Sequence, residues 1–268
     1  MANAMTSTRL LITRSFEQAQ PFVELLSHTS LAPVEVDCVP IRQAVAHTPD
    51  SELMSRLPHG GFSWALISSA NAVLSLKKYA VESQRTLPQL LATTKVAAVG
   101  ASTAQVLADN GVVVDYIPSV MDAQHLGQEL PYDDDQPVLC VLGKTSRPTL
   151  NHVLASRNIP TETVILYDME PYPATNPLTP LRAPEKSFAL GQVRERWQEY
   201  AGVIATAPSL LEELVTYIYG EESPVSFPPL IAMGRTTASH AQRLGLDVYI
   251  APAPTPGGLC EAVHHYFL

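Results

Sequence analysis

The chain carries one stretch of sequence written twice. VAAVGASTAQVLADNGVVVDYIP, starting at Val96, parallels LIAMGRTTASHAQRLGLDVYIAP, starting at Leu230. Gly100 pairs with Gly234, Thr103 with Thr237, Gly111 with Gly245 and Pro118 with Pro252, all at one offset. Upstream, ALISSANAV from Ala65 matches GVIATAPSL from Gly202, each an apolar run that stops at a small hydroxyl residue and opens a helix. A weaker third match sets LLITR from Leu10 against LCVLGK from Leu139, each with a cation just past the apolar run. Self-similarity at a long, fixed offset marks a repeated supersecondary unit, so the chain has to fold as two copies of one device.

The device itself follows from periodicity. Short apolar runs alternate with helical segments, the pattern of parallel α/β layers. Strands are expected at 10–13, 64–68, 96–99, 112–117, 138–142, 203–205, 230–233 and 248–250. Helices are expected at 17–27, 70–80, 101–110, 149–156, 208–219 and 237–244. The predicted fold class is α/β, with two doubly wound parallel-sheet domains related by internal duplication and joined by a two-stranded linker. Around Pro40 (VDCVPIR) and from Tyr167 (YDMEPYP) the sequence turns extended and proline-rich, which suits connecting strands. Two crossings imply an insertion. Residues 51–165 form the expected inserted domain, 1–38 plus 175–268 a discontinuous outer domain, and 39–50 and 166–174 the connectors.

Bulk properties narrow the function. A length of 268 residues gives room for two cores, and 46% hydrophobic against 16% charged residues describes a compact globule. No apolar run approaches the roughly 20 residues of a membrane span, and Met1 to Arg9 lacks the apolar core of a signal peptide, so a cytoplasmic protein is expected. Cys38, Cys140 and Cys260 are odd in number and set among apolar neighbours, as reduced core thiols would be. A net charge of −9, with no basic cluster longer than Lys77-Lys78, argues against a nucleic-acid partner.

Three strand-to-helix turns are rich in small hydroxyl residues: Ser68-Ser69-Ala70-Asn71, Gly100-Ala101-Ser102-Thr103 and Gly234-Arg235-Thr236-Thr237. The first N–H groups of a helix have no backbone partner and favour negative charge, so such a turn can dock a carboxylate. The same residues also serve as ordinary N-caps. Their recurrence at strand ends, where open α/β sheets bind ligands, points to a shared cleft. Gly143-Lys144-Thr145 imitates the tail of a phosphate-binding loop, but Val138 stands where that motif needs its first glycine. Lys144 and Arg147 are left as carboxylate partners or as solvated surface cations. The chain has no GxGxxG, HExxH or GxSxG, which removes the dinucleotide, zinc-protease and hydrolase signatures. Hydroxyls, amides and a few cations favour chemistry by positioning over covalent catalysis.

In order and spacing, the paired turns, the opening ITR, the VGASTA and MGRTTA helix starts and the closing PTPGGL resemble uroporphyrinogen-III synthases along essentially the whole chain. The resemblance implies two α/β domains with the active site in the cleft between them and no cofactor; the histidine and cysteine spacings suggest no metal, and a monomer is expected. It places the family's connector tyrosine on Tyr167, expected to donate the proton to a departing hydroxyl or to pack between domains. Its hydroxyl positions fall on Ser69 and Thr103 in one domain and on Thr206, Thr236 and Thr237 in the other, and its first basic residue on Arg14. Asn71 stands where some members have a cation, and no lysine precedes the Gly234 turn. The implied substrate is hydroxymethylbilane, a linear tetrapyrrole with eight carboxylates, closed with reversal of its last ring and loss of water. The competing expectation, from the same architecture, is a non-catalytic two-domain protein that closes on a small anion.

Overall fold

The computed structural model describes residues 8–29, 33–220, 222 and 226–267; most of the reading of Met1 to Arg9 lies outside the described residues. In chain order the elements are β1 (Thr8–Ile12), α1 (Phe16–Thr29), β2 (Val34–Cys38) and β3 (Arg42–Ala46), then α2 (Ser51–Arg56), β4 (Trp64–Ile67), α3 (Ala70–Glu82) and α4 (Leu87–Leu90). There follow β5 (Lys95–Ala98), α5 (Ala101–Asp109), α6 (Ala123–Glu129), β6 (Val138–Gly143), α7 (Thr149–Ser156) and β7 (Thr161–Pro171). The last are α8 (Leu190–Glu195), β8 (Gly202–Ala205), α9 (Pro208–Tyr219), β9 (Leu230–Ala232), α10 (Arg235–Arg243), β10 (Val248–Ile250) and α11 (Pro256–Phe267).

The chain divides into two compact units. One comprises Met1–Gln43, Pro171–Pro173 and Pro180–Leu268, the other Ala44–Glu170 and Ala174–Thr179. The first sheet runs β10-β9-β8-β1-β2 and the second β3-β7-β6-β4-β5. The series β9-β8-β1-β2 and β5-β4-β6-β7 are the same set of parallel pairings. The repeat in the sequence is therefore a repeat in topology. It extends to the turns: α5 and α10 both start after an extended glycine (Gly100, Gly234) and end before a left-handed one, Gly111 at φ 78° and Gly245 at φ 75°. Only glycine adopts that conformation without a Cβ penalty, which ends both helices at the same place.

Each sheet buries both faces, as parallel sheets covered by helices do. In β4, Ala65 and Ile67 pack with residues of α3 and α5, while Trp64 and Leu66 pack with residues of α6 and α7. In the other unit, Leu11, Val203 and Leu230 face α8 and α9, and Leu10, Ile12 and Ile204 face α1 and α11. The three cysteines are free and buried, and burial pushes the Cys38 and Cys140 thiols up to about 12. Among the described residues no helix is long and apolar enough to cross a membrane.

Two expectations are corrected. The segment 112–117 is not a strand; it meets β5 through one isolated bridge, Ala97 to Tyr116. The Asp115 carboxylate accepts the Val96 N–H at 2.7 Å, taking a donor that a continued ladder would use, whereas Tyr249 stands at the matching position and β10 forms. Conversely, β2 is a strand that the apolar pattern does not reveal, because Glu35 and Asp37 interrupt it. Asp37 is nonetheless buried: the Tyr200 hydroxyl donates to it at 2.8 Å, and Arg9 and Arg196 lie 4.0 and 3.7 Å away.

In the first unit the Glu17 carboxylate accepts N–H bonds from Arg182 at 2.6 Å and Ala183 at 2.9 Å. Burial pushes this carboxyl up, but the bonds from Ala183 and Arg182 outweigh it and hold it below its ordinary 4.5. A lowered carboxylate contributes stability above its unfolded value and loses it as pH falls through the folded one. Glu17→Gln is therefore expected to melt below the parent at neutral pH, with the gap closing as the pH drops below 4.5, in thermal denaturation at stepped pH.

Candidate active site

In the second unit β7 runs parallel to β6, and their register shifts between Leu142 and Gly143, bringing Gly143 opposite Tyr167. Such a bulge re-aims a side chain. Here it lays the Tyr167 ring directly over Gly143: a Cβ added at Gly143 would stand 2.4 Å from Cζ of the ring. The Lys144 N–H donates to the Tyr167 carbonyl at 2.9 Å, and the ring also packs on the core of this unit. Tyr167 is half-buried, with its hydroxyl directed at the start of α3.

Ser69 is the N-cap of α3. Its Oγ accepts the Ala72 N–H at 3.2 Å and donates to Tyr167 Oη at 3.0 Å. The neighbouring Ser68 donates to the Val141 carbonyl at 2.9 Å. Tyr167 lines a pocket of about 460 Å³ at the C-terminal ends of the strands, with Ser68, Val99, Leu142, Arg147 and Thr149. Arg147 is exposed on this pocket and has no ion-pair or hydrogen-bond partner among the described residues. Lys144, in contrast, is paired with Asp168 at 2.8 Å; this bond, then the opposite charge, raises the lysine, and the same bond, then the Met169 N–H, depresses the acid.

The repeated turns have diverged. Thr103, expected to face a ligand, is 2% exposed in the first turn of α5, and the Ala101 N–H ahead of it meets the Met121 thioether at 3.4 Å. Gly100 is hemmed in by Met121, whereas nothing lies within 4 Å of a Cβ at Gly234. In the first unit Thr237 is also buried, at 4%, and Thr236 beside it is exposed. Neither threonine caps its helix, since the caps are Gly100 and Gly234 without a side-chain bond. Both buried residues serve packing instead.

Also in the first unit, Thr206 is tied to Thr13 across neighbouring strands. Its N–H donates to Thr13 Oγ1 and its hydroxyl to the Thr13 carbonyl, both at 3.0 Å. Arg14 follows Thr13, half-buried, with Nη2 3.3 Å from the Met233 sulfur and no carboxylate partner among the described residues. Burial pushes its guanidinium down from its ordinary value. A desolvated cation without a counter-ion is a receptive position for an anion. The residues 71 and 169 meet through Asn71 Nδ2 and the Met169 sulfur at 3.9 Å.

The structure thus joins Tyr167 and Ser69 and places Lys144 next to Tyr167 just past β6, while Arg14, Thr206, Thr236 and Thr237 belong to the other unit. Gly143 escapes sequence reasoning as a site residue, although a glycine ending a strand next to a tyrosine-bearing one is a usable signal. The contact between residues 69 and 167 has none.

Comparison with known proteins follows the same lines. A family model described as Uroporphyrinogen-III synthase HemD matches residues 20–261. The chain is 25% identical over 260 residues, 95% of its length, to a porphyrin biosynthesis protein HemD of Ruminiclostridium josui, and spans about half (48%) of that relative. It is 25% identical over 248 residues to a uroporphyrinogen-III synthase of Chlorobaculum parvum, covering 91% of the chain and 92% of the relative. Its fold is similar to a mutant uroporphyrinogen III synthase from the extremely thermophilic bacterium Thermus thermophilus, with a TM-score of 0.62, 17% identity, and coverage of 97% and 98% of the two chains.

Proposed function

Because the chain belongs to the uroporphyrinogen-III synthase family, whose model spans nearly all of it, we propose that it is itself such a synthase. In this reading it is a lyase of the cytoplasm, acting as a monomer without cofactor. It closes hydroxymethylbilane into uroporphyrinogen III with reversal of ring D and loss of water. The observation that carries catalysis, over mere anion binding, is the Tyr167 hydroxyl: it accepts from Ser69, and its own proton has no acceptor among the described residues. An O–H in that state, on a residue that lines a pocket, is ready to give its proton to a leaving hydroxyl.

The chemistry asks little more of side chains. The pyrrole nitrogen next to the terminal hydroxymethyl group expels the hydroxyl, Tyr167 supplies the proton, and water departs. The substituted carbon of the last ring then attacks the resulting azafulvene, and the spiro intermediate breaks and recloses with that ring reversed. The unaided closure gives the unreversed isomer, so conformational control decides the product. Orientation can contribute about 7–11 kcal/mol, against roughly 10²–10⁴-fold from one general acid.

Carboxylate arms are assigned to Arg14 and the open α10 start at Thr236 in the first unit, and to Arg147 in the second; Thr206 joins them only by leaving Thr13. Lys144 joins them only by leaving Asp168. Ser69 acts through the helix start and the phenol it holds, and Thr103 and Thr237 through packing under theirs. Helix starts offer about 0.3–1 kcal/mol each to an exposed anion, so a polyanion is held by many weak contacts on a chain of net charge −9. The deciding experiment generates hydroxymethylbilane in a coupled assay and separates the isomers. Type III product above the uncatalysed background supports the reading; type I alone, with saturable binding of the tetrapyrrole, gives the protein to the anion-binding class.

A further inference from the structure

We infer that Ser69 is a positioning residue that sets the direction of the Tyr167 hydroxyl hydrogen. The inference rests on the reading of Tyr167 as proton donor. A serine hydroxyl has one hydrogen and two lone pairs. At Ser69 one lone pair is taken by the Ala72 N–H, in the geometry of an N-cap, and the hydrogen goes to Tyr167 Oη at 3.0 Å. With one lone pair committed to the Ala72 N–H, Ser69 places its hydrogen on the Tyr167 oxygen. Tyr167 is therefore an acceptor toward Ser69, and its own hydrogen has no acceptor among the described residues.

The duplicated position makes the case independently. Thr206 stands where Ser69 does in the repeat, yet it closes onto Thr13 of the neighbouring strand. Only the second copy uses this residue to hold a phenol. Gly143 completes the arrangement, since its missing Cβ lets the ring lie where Ser69 reaches it.

The test separates capping from positioning. Aspartate caps a helix as well as serine does, but its carboxylate accepts from Tyr167 and turns the phenol hydrogen inward. Ser69→Asp is expected to keep the unfolding midpoint and to lower kcat by about tenfold at nearly unchanged KM. Ser69→Thr, which retains both cap and donor, should recover most of that rate. In a Tyr167→Phe background, Ser69→Asp should cost nothing further, because no phenol hydrogen is left to direct. Wild-type kcat in Ser69→Asp, while Tyr167→Phe alone is slow, overturns the positioning role and leaves the donor in place. Wild-type kcat in Tyr167→Phe overturns both.

Discussion

Tyr167→Phe is expected to lower kcat for type III formation by about 10²-fold, the lower end for loss of one general acid, with KM nearly unchanged. The ring stays: it packs over Gly143 and against the core of the second unit, and phenylalanine keeps those contacts. Only the hydroxyl goes, leaving the Ser69 hydrogen without its acceptor, at a cost of about 1 kcal/mol of stability. The product should remain type III, because ring reversal depends on how the chain of pyrroles is held. A residual rate is expected, since the pyrrole nitrogen drives departure and water can protonate the leaving group. Steady-state kinetics with isomer separation checks all three statements. An unchanged kcat would make Tyr167 a packing residue.

The largest effect on stability should come from Asp37→Ala. The Asp37 carboxylate is buried, accepts from Tyr200 and lies near Arg9 and Arg196. Burial, then the bond to Asp37, pushes the Tyr200 phenol far above its usual range, so its hydroxyl stays protonated and needs an acceptor. Removing the carboxylate strands that buried hydroxyl and takes a counter-ion from Arg9 and Arg196, at a cost of about 3 kcal/mol. Arg9 retains Glu35 and Glu199, which limits the loss. The melting transition of the first unit should fall by about 10 °C in calorimetry. Asp37→Asn, which keeps an acceptor for Tyr200, should fall by less; equal losses would assign the effect to charge alone.

What the sequence discloses and withholds has physical causes. Helices α7 and α9 are legible to the residue because proline stands at or just inside their starts, at Pro148 and Pro208, and Gly220 ends α9. The duplication is legible because glycines with fixed conformational duties recur at one offset. β2 is hidden by two carboxylates whose partners lie up to 163 residues away, as Tyr200 does from Asp37. In the site, Arg14 stands out as a cation just past a strand end and Tyr167 as the tyrosine of an extended, proline-rich connector. That Thr103 and Thr237 are buried, and that Asp168 occupies Lys144, depends on tertiary packing that no spacing encodes.

The discontinuity of the first unit bears on how the protein is made. Its strand β1 is paired on one side by β2, close in sequence, and on the other by β8, with Leu10 opposite Gly202. During synthesis the whole second unit up to Glu170 leaves the ribosome while β1 still offers one open edge to the surroundings. At about 5–20 residues per second, that edge waits several seconds or more for β8. A nascent chain in this state is a substrate for holding chaperones, and slowed translation between Glu170 and Gly202 should raise its losses to aggregation. The folded chain carries no trace of that interval except the order in which its strands were born.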